Sequence, residues 1–196
     1  MSTLHNPPLP NWIDLKSCTE RLFKTGESIF RQDEKTVGFY FILEGSAELQ
    51  RVTLEGSNIV LHYAVAGEAF AEASLFSPTY HCDAMACADT RTLFLRKDIM
   101  LARLSKDSAF AKSLLAHMAR QVQHYRALQQ LQAIRRADER VLAALQLGLP
   151  TNNWISFAGQ IGLSHEAVYR ALRVLTQKGK VERVGRGQYH LNIVDD

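Results

Sequence analysis

The residues with the most legible chemistry lie near the end of the chain. Positions 154–176 read WISFAGQIGLSHEAVYRALRVLT. Arg170 carries a planar guanidinium that can donate two hydrogen bonds to O6 and N7 of guanine, the commonest specific base contact. Glu166, one helical turn earlier, can accept from cytosine N4 and orient Arg170 across the i, i+4 spacing. Ser164 and His165 stand where a helix N-terminus could reach a phosphate or a base edge. Lys178, Lys180, Arg183 and Arg186 follow directly. This is the chemistry of reading double-stranded DNA.

Such residues need a scaffold, and the apolar positions around them predict one. Ile155, Phe157, Ala158 and Ile161 suit the buried side of a short helix. Gly162 permits a tight turn and Leu163 fills the angle after it. Ser164 is a favourable N-cap, and Glu166 near that terminus suits the helix dipole. Val168, Leu172 and Leu175 recur at intervals of four and three and face inward, so His165, Glu166, Tyr169, Arg170 and Arg173 face out. The pattern predicts a helix-turn-helix whose second helix can enter a major groove. Val181 to Leu191 reads as two strands around Gly185-Arg186-Gly187, a wing able to lie along the backbone.

Charge agrees with that placement. The 196 residues carry a net charge of +3. Through Gln132 there are 14 basic and 14 acidic residues, whereas the remainder holds 9 basic and 6 acidic. The excess is confined to the C-terminal third, as a phosphate-binding surface requires.

Two further elements precede this head. From about residue 20 to 98 the chain alternates short apolar runs, such as Phe39 to Leu43 and Ile59 to Leu61, with glycines at 26, 38, 45, 56 and 67. That spacing of turn signals predicts an antiparallel β-domain, with Glu55-Gly56 at a hairpin tip. From Ser108 to about Arg136 there is neither Gly nor Pro, and Ala111, Leu115, Met118, Val122 and Tyr125 step by four and three. Leu128 and Leu131 extend the stripe with a small phase slip. A helix of this length, about 42 Å at 1.5 Å per residue, exceeds what the β-domain could cover, so the stripe predicts a dimer interface. Asp138 is the expected N-cap of the next helix, carrying Val141, Leu142 and Leu145 and ending near Gly148 and Pro150. The expected organisation is a β-domain over 1–107, a dimerisation helix and hinge over 108–137, and a winged helix-turn-helix over 138–196.

No apolar run is long enough to span a bilayer, and the N-terminus MSTLHNPPLPNW lacks a secretory pattern, so a cytoplasmic protein without membrane contact is expected. Cys18, Cys82 and Cys87 show no CxxC spacing, which disfavours a disulfide framework or a four-cysteine metal site. A metal enzyme of the cupin type would need a close HxH pair, and the β-half offers only the separated His62 and His81.

From about Phe23 onward the sequence resembles the CRP/FNR family of bacterial transcription regulators. The likeness rests on FKTGESIFRQDEKTVGFYFILEGSAEL, then GEAFAEASLF, the long helix, and GLSHEAVYRALRVL. It implies an α+β chain: an antiparallel β-roll (a double-stranded β-helix of the cyclic-nucleotide-binding type), a dimerisation helix and a winged helix-turn-helix. It implies a non-enzymatic homodimer acting on palindromic DNA and on RNA polymerase. The family's recognition Glu and Arg fall on Glu166 and Arg170, while its first base-reading Arg falls on His165.

The effector site departs from the family. Where cyclic AMP-binding members carry Gly-Glu, Arg-Ser and Thr-Ser pairs, this chain has Ala71-Glu72 (with Ser74 close by), Cys82-Asp83 and Tyr125-Arg126. Glu72 keeps the carboxylate for a ribose hydroxyl. Cys82-Asp83 removes the cation that pairs with the cyclic phosphate and adds a repelling carboxylate. Cyclic AMP is therefore not the expected effector. Cys18 stands alone where oxygen-sensing relatives carry a cysteine cluster, so an iron–sulfur centre is not expected. His81-Cys82, His62, His117 and His124 supply ligand types for haem without a spacing that selects it. Redox sensing by Cys82 or Cys87, and effector-independent action, stay open as alternatives.

Overall fold

Eight strands between Cys18 and Arg96 roll into two facing antiparallel sheets in the computed structural model, which describes residues 7–52, 56, 58–149, 151, 154–185 and 187–192. In chain order they are β1 (Cys18–Phe23), β2 (Ser28–Phe30), β3 (Gly38–Glu44), β4 (Ser46–Val52), β5 (Asn58–Val65), β6 (Ala69–Phe70), β7 (Asp83–Ala86) and β8 (Thr90–Arg96). One sheet has the order β1-β8-β3-β6 and the other β2-β7-β4-β5. Glu55 and Pro150, named above at a hairpin tip and a helix end, and Arg186, named in the wing, lie outside the described residues.

Strand β3 explains why the roll holds together. Alternate residues of a strand point to opposite faces, yet Gly38 through Leu43 are all buried. Tyr40 stacks on Phe70 at 5.2 Å and on Phe30 of the opposite sheet at 5.9 Å. On alternate positions, Phe39 and Phe41 pack against Trp12, at 5.9 and 6.5 Å between ring centroids. The N-terminal segment thus contributes Trp12, 1% exposed, to the same core.

Gly38 is not the turn residue that its spacing predicted. It begins β3, and a Cβ there would lie 2.3 Å from the Leu95 carbonyl and 2.6 Å from the Phe94 ring. The close approach of β8 excludes a side chain. Gly45 does serve a turn, with φ +85° between β3 and β4.

Helices follow: α1 (Lys97–Lys106), α2 (Ser108–Ala133), α3 (Ala137–Gln146), α4 (Trp154–Gln160) and α5 (His165–Gln177), then β9 (Val181–Gly185) paired antiparallel with β10 (Gln188–Leu191). The chain divides into two compact units, 1–118 and 119–196, with the division inside α2. In the first, Phe110 and Leu114 of α2 join the core of the roll. In the second, Leu128 and Leu131 join a core with Val141, Phe157, Ile161 and Leu172. Among the described residues no helix is long and apolar enough to cross a membrane.

Helix α3 starts differently from expectation. Its N-cap position is Arg136, and Asp138 stands within the first turn, where its carboxylate binds Arg136 Nη2 at 3.0 Å and Lys178 Nζ at 2.7 Å. Two cations, one of them forty residues on, outcompete the capping role.

Candidate DNA-reading head and sensor site

Helix α5 is built as its apolar spacing requires. Val168, Ala171, Leu172 and Leu175 are buried, at most 4% exposed, against α3 and α4. Ser164 caps the helix, its hydroxyl accepting the Ala167 N–H at 3.2 Å. Gly162 makes the turn from α4 with φ +63°. That turn is clamped by Arg140 of α3, whose Nη1 donates to the carbonyls of Ile161 (3.1 Å) and Gly162 (3.2 Å). The same guanidinium donates through Nε and Nη2 to Ile134 O at 2.8 and 2.6 Å. Nothing in the sequence pattern singled out Arg140, because its partners are backbone carbonyls brought near only by folding.

The buried side of α4 is Trp154, Phe157 and Ala158, with Ile161 just beyond. Ile155, expected inside, is 71% exposed. Trp154 takes the inward place instead, one residue earlier, and its larger ring fills the space between α5 and the wing.

The outward side of α5 carries Glu166, Tyr169, Arg170 and Arg173, all exposed, with His165 half-buried at its start. Tyr169, Arg170 and Arg173 line a concavity of about 420 Å³ together with Arg183 and Tyr189 of the wing. Three guanidinium groups therefore converge where helix and hairpin meet. Lys180 is exposed before β9, and Arg183 donates through Nε to Gly185 O at 3.3 Å. Glu166 does not form an ion pair with Arg170 among the described residues. Its own backbone N–H and the Ser164 hydroxyl hold its carboxyl below the usual carboxylate range, with His165 and Arg170 adding a smaller electrostatic pull. The carboxylate is held at the helix start, which leaves Arg170 uncommitted to it.

Along α2 the expected apolar seam divides. Leu115, Val122 and Tyr125 are 66%, 48% and 44% exposed, while Ala111 and Met118 are half-buried. Leu128, expected on the same seam, is 9% exposed within the core of the second unit. A straight helix drifts by about 20° per heptad from a 3.5-residue repeat, and the stripe turns toward α3–α5 at that point.

In the roll, Ala71, Glu72 and Ser74 lie on one buried 3-10 turn after β6. Ala71 adopts the left-handed conformation, φ 65°. Glu72 Oε1 stands 3.4 Å from His117 Nε2, whose ring lies 5.0 Å from that of Trp12. Cys82 is buried, and Asp83 Oδ1 accepts the Gln32 N–H at 2.7 Å. Arg51, beside Cys82, donates from Nε and Nη2 to the His81 carbonyl at 3.2 and 2.5 Å. Burial pushes the thiols of Cys82 and Cys87 up, that of Cys87 to about 12 with Glu48 contributing. A reactive thiol needs low-pKa, electropositive surroundings, and here burial outweighs the pull of Arg51 at Cys82 and acts together with Glu48 at Cys87. Tyr125 and Arg126 are exposed on the part of α2 that belongs to the second unit. Among the described residues no cluster of His, Cys, Asp and Glu is arranged to hold a metal ion.

Comparison with known proteins shows what the chain is similar to. Residues 20–107 match the model of the cyclic nucleotide-binding domain. The catabolite activator protein of Thermus thermophilus is 28% identical, over 94% of this chain and 91% of its own, with a TM-score of 0.51. FixK2 of Bradyrhizobium japonicum shares the fold at a TM-score of 0.74, with 23% identity over 89% of this chain and 92% of its own. A second Thermus thermophilus protein, a transcriptional regulator of the CRP/FNR family, gives 0.60, 24%, 88% and 93% in the same order. In fold, the chain is similar to transcription regulators of the CRP/FNR family, and its first part carries the cyclic nucleotide-binding domain. No curated protein matches it significantly by sequence.

Set against the CRP/FNR pattern that the sequence resembles, the departures have a structural form. The family's Gly-Glu glycine is Ala71 here, and an alanine held at positive φ costs on the order of 1 kcal/mol. Cys82, where the resemblance would place the family's phosphate-binding arginine, is a buried thiol. Asp83, expected at the effector site, also accepts the Gln32 N–H in the turn after β2.

Proposed function

We propose that the protein is a homodimeric transcription regulator that reads a palindromic DNA site with α5 and its wing, in the cytoplasm, and acts there on RNA polymerase. One observation carries the reading: the polar face of a well-anchored helix, with Arg170 and Arg173 exposed, meets Arg183 of the wing across one concavity. A helix of this kind fits the major groove, where a bidentate arginine selects guanine, while neighbouring cations take phosphates. Two copies related by a two-fold axis would address half-sites about one helical turn apart.

The β-roll is the proposed input, with an effector other than cyclic AMP. A cyclic phosphate would meet Cys82 and the Asp83 carboxylate, and the nearby Arg51 is spent on the His81 carbonyl. A second reading, action without an effector, is supported by Glu72: the carboxylate that would receive a ribose already contacts His117.

The test is selection of duplexes from a random pool by the purified protein, followed by a salt titration of the best site. Selection of a palindrome, with affinity falling as salt rises, and loss of that preference in Arg170→Ala while the dimer persists, is the expected result. No selected sequence, or an unchanged preference in the variant, would overturn the reading.

A further inference from the structure

The aromatic residues of the second unit do more than fill its core. Trp154 is the first residue of α4, and its indole Nε1–H donates to the Gly187 carbonyl at 2.7 Å. Gly187 lies in the wing turn, directly after Arg186 in the chain. The same indole meets Tyr189 of β10 edge-on at 5.6 Å and Tyr169 of α5 at 6.3 Å. Tyr169 in turn lies 4.7 Å from His165, at the start of α5. One side chain therefore touches the reading helix, the wing strand and the wing turn.

The wing is otherwise lightly held. Of β9, only Val181 is fully buried, and Gln188 and His190 of β10 are exposed. A two-stranded hairpin is marginal without packing, so its direction relative to α5 depends on few contacts. The indole supplies the directional one, since a hydrogen bond to a carbonyl fixes orientation where ring packing alone does not.

Resting on the DNA-reading function proposed above, we infer that Trp154 is a positioning residue that locks the wing to the reading helix, so that the two bind as one rigid surface. It touches neither bases nor phosphates. It sets the gap between Arg170 and Arg173 on the helix and Arg183 on the hairpin, and pre-organises the cations for a backbone of fixed width.

The variant Trp154→Phe keeps an aromatic ring and removes the donor. On the duplex selected by the wild-type protein, its affinity is expected to fall about tenfold, the worth of one directional hydrogen bond. The slope of log affinity against log salt should become shallower as wing–phosphate contacts are lost. The preferred base sequence, set by Arg170, should not change. Without DNA, amide exchange in β9 and β10 should accelerate while α5 keeps its protection. A merely structural role would leave the salt slope alone.

A second variant covers the case of a misfolded Trp154→Phe. The chain has two tryptophans, and the buried indole N–H of Trp12 has no partner among the described residues, so Trp12→Phe leaves Trp154 as the sole reporter without removing a described hydrogen bond. Its emission should shift when the selected duplex binds. Unchanged affinity, slope and wing exchange in Trp154→Phe, or a silent Trp154 on DNA binding, overturns the inference. Failure of the wild-type protein to select any duplex sinks the DNA-reading function itself, and is told apart because it precedes any variant.

Discussion

Oε1 of Glu72 lies 3.4 Å from Nε2 of His117, joining the 3-10 turn of the roll to α2 beneath the ring of Trp12. The three groups come from the N-terminal segment, the turn after β6 and the long helix, and all are buried or nearly so. A ligand that claimed the Glu72 carboxylate would compete with His117. On the proposed reading, the contact would couple an occupant of the roll to the helix.

Replacing His117 with Ala removes a ring packed on Trp12 and a partner of a buried carboxylate. The loss should be about 2 kcal/mol, from the cavity and the weakened polar contact together. Thermal unfolding of His117→Ala against the wild-type protein measures it. A melting temperature unchanged within error would show that the His117 contact contributes nothing to the fold of the roll.

The seam on α2 allows a sharper comparison. Leu115 and Val122 are exposed, whereas Leu128, on the same apparent stripe, is in the core of the second unit. The double change Leu115→Glu and Val122→Glu should give a folded monomer by sedimentation, because like charges would face each other across a dimer interface. Leu128→Glu should instead lower the melting temperature strongly, since a buried carboxylate without a partner costs several kcal/mol. A dimer that survives the double change would place the interface elsewhere.

These cases show what was legible in the sequence. Regular periods were readable: Val168, Leu172 and Leu175 recur at the helical interval, and the absence of Gly and Pro marked α2. Residue types with one dominant use were also readable, such as Ser164 at an N-cap and the glycines flanking Arg186. Misreadings arose where the deciding partner is remote in the chain. Gly38 resembled a turn residue, but the Leu95 carbonyl and Phe94 ring excluded a side chain there. Ile155 looked like core, yet the neighbouring Trp154 took the buried direction. Arg140 carries no local signal at all, because what it binds is the pair of carbonyls at Ile161 and Gly162.

The cysteines should be chemically quiet. Burial pushes the thiols of Cys18, Cys82 and Cys87 upward, that of Cys87 to about 12. Since the thiolate is the reactive form, a disulfide reagent at pH 8 should label all three cysteines more slowly in the native protein than in the denatured chain, Cys87 by at least about a hundredfold. Rapid labelling of Cys82 or Cys87 in the folded protein would restore the redox-sensing alternative.

Asp138 gives the head a defined dependence on acid. Arg136 and Lys178 hold its carboxyl far below its ordinary value of 3.8, the hydrogen bond from Arg136 being the larger cause and that from Lys178 the next. A carboxyl depressed in the folded state stabilises the fold fully above its unfolded value, and the benefit fades as pH falls through the folded one. At pH 7, Asp138→Asn should therefore melt below the wild-type protein, by roughly 3 °C or more. The gap should stay constant down to about pH 5 and narrow progressively below 3.8, because the unfolded wild-type chain then takes up a proton that the folded one refuses. The Lys178 contact ties the start of α3 to the residue that caps the end of α5, so the same variant should loosen α5 as well as the fold. A gap that widened on acidification would have the wrong sign for a salt-bridged carboxylate, and would mean that Asp138 is held protonated instead.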